Sequence, residues 1–195
     1  ILADSTSHPG FIASDLLSQA EHGPDSQVLL VLKGDKLLTA IQEEVKQQLN
    51  VLPRKEIARK ALDNSRIIVL NNDQEMIDLI NWYAPEHLII CTHNYGEMAA
   101  KITNAGSVFL GNYTPESAGD YASGTNHTLP TNGWARSFSG VNMDSFVKKI
   151  TFQEITISGL RNLGPIVETM AAAEELEAHR RAIAIRLEQL TASGR

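Results

Sequence analysis

Two side chains with metal-binding or acid–base chemistry lie close together near the start of the sequence. Gln19 and His22 are three residues apart in "LLSQAEHGPDS", which predicts the last turn of a helix before the Gly23-Pro24 break. Residues at i and i+3 share one helix face, with Cβ atoms about 5–6 Å apart, so both side chains can reach one ion. The alternative is a solvated C-terminal turn, with His22 near the negative end of the helix dipole. This segment alone leaves both interpretations open.

Further candidates lie in three later segments. Glu86 and His87 stand together in "APEHLII" at the start of a strand, Asp120 and His127 lie in a polar loop, and His179 interrupts an apolar helical stripe. Each has a structural alternative: a helix-to-strand turn for the Glu-His pair, a turn cap for Asp120, and a core histidine for His179. No one of these segments is specific by itself.

The elements that must position these residues alternate between helix and strand from residue 10 to about 110. Amphipathic segments such as "DKLLTAIQEEVKQQLN" are typical of helices, and short apolar runs such as "QVLLVLK", "RIIVL", "HLIICT" and "SVFLG" are typical of buried strands. This alternation predicts an α/β fold with a mostly parallel sheet and helices on both faces, an incomplete Rossmann-like domain. Ligands in such sheets usually bind at the carboxyl ends of the strands.

The pattern changes after residue 110. Residues 111–140 are rich in Gly, Ser, Thr, Asn and Pro, and a loop of this length is usually functional or disordered. Its four aromatic residues argue against disorder. A helical run of about 25 residues is expected to begin at Gly164-Pro165 and to span roughly 38 Å. One apolar stripe is predicted along it, formed by Ile166, Met170, Ala173, Leu176, His179, Ile183, Leu187 and Leu190. We therefore expect an α/β domain over 1–141 and a helical dimerisation tail over 142–195, since a symmetric partner would cover the stripe.

Composition narrows the function class. The 195 residues carry a net charge of -6 and show no Lys/Arg stripe, which argues against a nucleic-acid surface. No apolar run reaches the roughly 18 residues of a membrane span. Cys91 is the only cysteine, so a reducing compartment is expected and the cytoplasm is the predicted location. The sequence begins without Met in what resembles the end of a strand, and we expect it to be part of a longer polypeptide.

Four motifs, taken together, are specific. "SQAEHGPDS", "PEHL", "SAGDYASGTNHTLPT" and "TMAAAEELEAHRRA" resemble, in this order and spacing, the carboxyl-terminal half of the histidinol dehydrogenase family. The resemblance covers nearly the whole chain. It implies one Zn²⁺ per subunit, held by Gln19, His22 and Asp120 of one subunit and by His179 of the other. Such nitrogen and oxygen ligands suit zinc, although Mn or Co would also fit.

The resemblance also implies the reaction, which is the oxidation of L-histidinol through histidinal to L-histidine with two NAD molecules in the last steps of histidine biosynthesis. His87 would be the general base for the alcohol proton, and Glu86 would activate the water that hydrates the aldehyde. His127 and Glu174 would contact the substrate from the partner subunit of a homodimer. The four zinc ligands and Glu86 would contact the substrate as well.

Two further features of the sequence concern Glu174 and the nicotinamide cofactor. On an ideal helix Glu174 and His179 would be about 140° apart, so both can face one site only if the helix breaks or the substrate lies across it. The nicotinamide-binding part of the family precedes Ile1, and no G-x-G-x-x-G motif follows a strand here. No cofactor-binding residue is therefore assigned, and the chain by itself is expected to be inactive. A non-catalytic, metal-dependent imidazole-binding module and a dimerisation segment remain alternatives.

Overall fold

A computed structural model describes residues 1–193 of the chain. They form two compact units, one from Ile1 to Val147 and one that begins at Lys148. The predicted functional division after residue 141 stays a prediction, since compactness does not test which part forms a dimer.

The first unit contains a five-stranded, fully parallel sheet with the strand order β3-β2-β1-β4-β5. The strands are β1 (Leu2–Ala3), β2 (Leu29–Lys33), β3 (Arg66–Leu70), β4 (His87–Cys91) and β5 (Ser107–Leu110). The first strand lies in the centre and the order reverses beside it, as in Rossmann-like sheets. The predicted α/β fold is confirmed.

Six helices accompany this sheet. They are α1 (Pro9–Ala20), α2 (Leu38–Val51), α3 (Lys55–Asp63), α4 (Asp73–Tyr83), α5 (Tyr95–Ala99) and α6 (Glu116–Tyr121), with 3₁₀ turns at Trp134–Arg136 and Met143–Phe146. The long polar loop predicted over 111–140 thus contains the short helix α6 and one of the 3₁₀ turns.

Strand alternation sends apolar side chains into two layers of core. Leu30 and Leu32 of β2 pack on the face covered by α1, α2 and α3. Val31 of β2 and Leu88 and Ile90 of β4 pack on the opposite face, against α4 and α5. Successive strand residues point to opposite faces, so the short apolar runs fill both layers, and helices cover the sheet on both sides as predicted.

The second unit consists mainly of two helices, α7 (Ile157–Ala173) and α8 (Glu177–Ala192), which pack against each other. The prediction of one continuous helix was wrong. The N–H groups of Glu175 and Leu176 donate to the carbonyls of Ala172 and Ala171, and Glu175 is left-handed with φ of 60°. These are the two hydrogen bonds of a Schellman C-cap. A non-glycine residue holds the left-handed position, so the usual signal for a helix end is absent.

The start of this helical run was also predicted wrongly. α7 begins at Ile157, where the Thr156 side chain caps the Gly159 N–H at 3.1 Å, and Pro165 lies inside the helix. The helix break changes the phase of the side chains, so the eight predicted positions do not form one stripe. Part of the apolar surface instead packs between α7 and α8, where Gly164 lies against Ile183 and Leu187.

No helix within the described residues 1–193 is both long and apolar enough to cross a lipid bilayer.

Candidate metal and catalytic site

The candidate site lies at the amino-terminal end of β4. Helix α1 runs back from the carboxyl end of β1, which brings its last turn, with Gln19, to the end of the sheet where β4 begins. A cavity of about 670 Å³ at this end is lined by residues that include Gln19, Glu86, His87 and Glu116. Ligands of such sheets usually bind at the opposite end, where the strands finish. The site lies here because its residues stand on a helix that returns to this end and at the start of a strand.

Three titratable side chains converge in this site. One ligand atom each of His87, Glu116 and Asp120 lies within 4.8 Å of the other two. His87 Nε2 is 3.6 Å from Asp120 Oδ1, and their side chains are 11% and 15% exposed. Glu116 is only 2% exposed. Glu116 and Asp120 are four residues apart on α6, which places both carboxyl groups on one helix face.

A glycine allows α6 to approach the sheet closely enough to complete this group. A Cβ on Gly119 would stand 2.6 Å from Cε1 of Phe109 on β5 and 2.9 Å from Oγ1 of Thr125. These distances are shorter than any ordinary carbon contact, so a larger residue at position 119 would push α6 away from β5. The glycine in "SAGDY" therefore sets the position of Asp120.

Two buried polar atoms in the site lack a hydrogen-bond partner among the described residues. They are Nε2 of Gln19 and Nε2 of His87. An unpaired buried polar atom costs about 1–3 kcal/mol, so native proteins rarely leave one without a ligand, an ion or water. Amide, imidazole and carboxylate groups together make a nitrogen and oxygen donor set that suits a divalent metal such as zinc.

The electrostatics of the site favour a cation. Burial raises the pKa of Glu116, the nearby Asp120 carboxyl adds to the rise, and Gln19 and His87 oppose it. Burial also raises the pKa of Asp15 to about 6, with the Glu116 carboxylate as the second cause. Glu116 thus lies between two other carboxyl groups, Asp15 in the same cavity and Asp120 on the same helix, and the repulsion between neighbouring carboxylates is what a bound divalent cation would relieve.

The predicted site residues are not all brought together. Gln19, Glu86 and His87 line the cavity, and Asp120 joins the close group. His22 is not a member of that group, but its Nδ1 lies 2.9 Å from the Ser18 carbonyl. In the neutral tautomer that donates from Nδ1 to this carbonyl, Nε2 keeps its lone pair, which is the arrangement usual for metal-binding histidines. The assignment of His22 stays a prediction.

Three further predicted residues lie away from this group or outside the first unit. His127 is exposed in the polar loop, and Glu174 and His179 are exposed in the second unit. Glu174 is the C-cap residue of α7, and His179 lies in the first turn of α8. The helix break therefore separates them, and the 140° objection from an unbroken helix does not apply. Their roles also stay predictions.

The sequence interpretation missed Glu116. It selected Asp120 from "SAGDY" and passed over the acidic residue four positions earlier. The signal available was this i, i+4 spacing directly after Pro115. Such spacing is equally common on solvated helices, so only the burial of Glu116 identifies it.

A parallel α/β sheet with one buried carboxyl group, Glu116, and a mostly buried imidazole and second carboxyl group beside one cavity defines a protein with a candidate metal-dependent catalytic site. The family model described as histidinol dehydrogenase matches residues 1–187. The chain belongs to the histidinol dehydrogenase family.

Relatives with this name are similar over nearly the whole chain. Histidinol dehydrogenase of Bacteroides thetaiotaomicron is 57% identical over 190 residues, which are 97% of this chain and 44% of that protein. The chloroplastic histidinol dehydrogenase of Arabidopsis thaliana is 55% identical over 193 residues, 98% of this chain and 41% of that protein. The chain thus spans less than half the length of these relatives.

A solved structure agrees with the fold. The crystal structure of histidinol dehydrogenase from Elizabethkingia anophelis matches with a TM-score of 0.92 and 57% identity, over 97% of this chain and 44% of that one. The resemblance drawn from the four motifs is confirmed.

Proposed function

We propose that this chain is the zinc-binding and substrate-binding part of an NAD-dependent histidinol dehydrogenase, which oxidises L-histidinol through histidinal to L-histidine. The observation that carries the proposal is the close group of His87, Glu116 and Asp120 beside Gln19, in a chain that belongs to this family. The family supplies the reaction, and the group supplies side chains suited to it.

The residues present fit a zinc ion. The buried Nε2 atom of Gln19 has no partner in the described structure, and the amide can turn its oxygen toward a cation. We propose that Gln19, His22 and Asp120 hold the ion with His179 of the partner subunit. When bound, the ion would supply a positive centre that holds histidinol in place through its imidazole and amino nitrogens.

The two proton-transfer roles belong to Glu86 and His87. His87 lies next to Asp120, a carboxylate that stabilises the imidazolium formed when His87 takes the proton of the substrate alcohol. Removal of that proton accompanies the first hydride transfer to NAD. Glu86 would activate the water that adds to histidinal, which supplies the second oxygen of the carboxylate before the second hydride leaves. No NAD-binding residue is proposed in this chain.

We further propose that the active protein is a homodimer in the cytoplasm, without nucleic acid or membrane as a partner. Support for the dimer comes from α7, where large apolar side chains remain exposed in the described structure: Ile157, Leu163, Ile166, Val167 and Met170. The covering surface would be the second copy that also contributes His127, Glu174 and His179. The proposed location rests on the use of a single cysteine, Cys91, which is typical of reducing compartments; the plant relative is chloroplastic.

The proposal is tested on the full-length protein that carries this chain. We expect one zinc per subunit by metal analysis and histidinol-dependent formation of NADH. His22→Ala and Asp120→Ala should each lose most of the zinc, because each removes one of four ligands. His87→Asn should keep zinc and histidinol binding but slow turnover by about 10²–10⁴-fold.

The half-reactions separate the two proton-transfer residues. Glu86→Gln should slow oxidation of histidinal more than oxidation of histidinol, because only the second step needs an activated water. The isolated 195-residue chain should show neither step, since a hydride needs an acceptor held next to the substrate carbon. Zinc and histidinol binding by the full-length protein without any NADH would instead favour a non-catalytic imidazole-binding module.

A further inference from the structure

Glu116 has no part in the proposed reaction, yet it is the most deeply buried carboxyl group in the site, with 2% exposure. It lies in the first turn of α6 and faces the last turn of α1. A buried carboxyl group costs free energy unless charges or hydrogen bonds compensate it. Its contacts therefore indicate why it is kept there.

Those contacts reach the predicted metal-binding residues from several sides. The Ser18 hydroxyl lies 3.1 Å from Glu116 Oε2, across 98 positions of sequence, and 2.9 Å from the Asp15 carbonyl, so its one proton is shared between two acceptors. The Ser18 carbonyl accepts the Nδ1 proton of His22 at 2.9 Å, so Ser18 connects Glu116 to that imidazole. Gln19 follows Ser18 directly on α1 and lines the same cavity as Glu116. Asp120 follows one helical turn later on α6, with a ligand oxygen within 4.8 Å of one from Glu116.

We propose that Glu116 is a positioning residue that holds Gln19 and Asp120 in the arrangement needed by the divalent cation. The inference rests on the proposed function, because it concerns the same metal site. A carboxyl oxygen of Glu116 at this point can accept the N–H of the Gln19 amide, whose buried nitrogen makes no hydrogen bond to any other described residue. Turning that nitrogen toward Glu116 directs the amide oxygen toward the cation. Glu116 also fixes α6 to α1 through Ser18, which sets the distance from Asp120 to the end of α1.

The test uses the full-length protein and measures the zinc dissociation constant by competition with a chromogenic chelator, without substrate. Glu116→Ala should weaken zinc binding by about 10–100-fold, the usual effect of losing a residue that orients metal ligands. Ser18→Ala should weaken it by a smaller factor, at least about threefold. Glu97→Gln is the control for Glu116→Gln, since Glu97 is an exposed acidic residue in the first turn of another short helix, α5. Of these two glutamine variants, Glu116→Gln should weaken zinc binding and Glu97→Gln should not.

A second readout separates positioning from direct ligation and from a loss of folding. The absorption bands of the Co²⁺-substituted protein should keep their wavelengths in Glu116→Gln, because the ligands are unchanged, and at saturating zinc kcat should return to near the parent value. A shifted Co²⁺ spectrum would overturn a positioning role and make Glu116 a ligand. Zinc affinity within twofold of the parent in both Glu116 variants would also overturn the proposal.

Two remaining outcomes are distinguishable. If Glu116→Ala does not fold, the Ser18→Ala variant decides, and unchanged zinc affinity there overturns the proposal. If the parent protein binds no zinc, the proposed function fails together with this inference, which is seen before any variant is compared. A parent that binds zinc and oxidises histidinol keeps the proposed function, whatever the Glu116 variants show.

Discussion

Replacement of Gly106 by alanine should destabilise the protein by moving the catalytic Glu-His segment. A Cβ at position 106 would stand 2.5 Å from the backbone oxygen of Glu86 and 3.2 Å from Cβ of Leu129. The first contact is with backbone, which cannot rotate away as a side chain can. The same oxygen accepts the Ser107 N–H at 2.9 Å, and the Gly106 N–H donates to the Pro85 carbonyl at 2.9 Å.

The expected magnitude follows from these contacts. Inserting a methyl group into a packed position costs about 1–3 kcal/mol, and weakening one of the two hydrogen bonds costs about 1 kcal/mol more. A loss of about 3 kcal/mol lowers Tm by about 9 °C for a chain of this size. Glu86 and His87 must move with the displaced backbone, and a shift of about 1 Å in an active site can reduce kcat by about 10²-fold.

Gly96→Ala provides the matched control. Gly96 lies in helix α5, and a Cβ there would meet no atom within 4 Å. Alanine is the better helix former by about 1 kcal/mol, so this variant should unfold at the parent temperature or slightly above it. Both variants are compared by thermal unfolding, followed by circular dichroism. Equal stability of the two variants would refute the argument that close packing at Gly106 fixes the Glu86 backbone.

Three further predictions concern other parts of the chain. Burial would raise the pKa of Asp4, but hydrogen bonds from Thr6 and His93 outweigh it and lower the pKa to about 2, below the ordinary value of 3.8. Ionised Asp4 therefore stabilises the fold above about pH 4, and this contribution disappears as the pH falls to about 2. Asp4→Asn should make the free energy of unfolding depend less on pH over that range. An unchanged pH dependence would contradict this prediction. Asn72→Ala removes the side-chain cap of α4 and should cost about 1 kcal/mol in urea unfolding, whereas no loss would mean that the cap is unimportant. Gly164→Val should overpack α7 against α8 and cost about 1–3 kcal/mol; full stability in the same assay would show that the two helices can separate without penalty.

The hydrophobic periodicity of single segments was enough to predict most of the strands and helices of the first unit. The strand "RIIVL" and the helix "DKLLTAIQEEVKQQLN" have periodicities of their own, so β3 and α2 were predictable without knowledge of their neighbours. The second unit was not, because Glu175 takes a left-handed conformation usually reserved for glycine, and Pro165 lies inside a helix that it was expected to begin. The left-handed conformation of Glu175 and the helical position of Pro165 are both disfavoured by local sequence preference, and both occur where α7 and α8 pack together.

For the site, the sequence by itself determined which motifs are present: the Gln19 and His22 spacing, the Glu86-His87 pair, and the family to which they point. Only the tertiary structure decided that Glu116 belongs with them and that the group lies at the amino end of β4. The physical reason is distance along the chain. Ser18 and Glu116 are 98 residues apart, and their contact depends on the close approach of α6 to β5, so neither burial nor proximity is written in the local sequence around either residue.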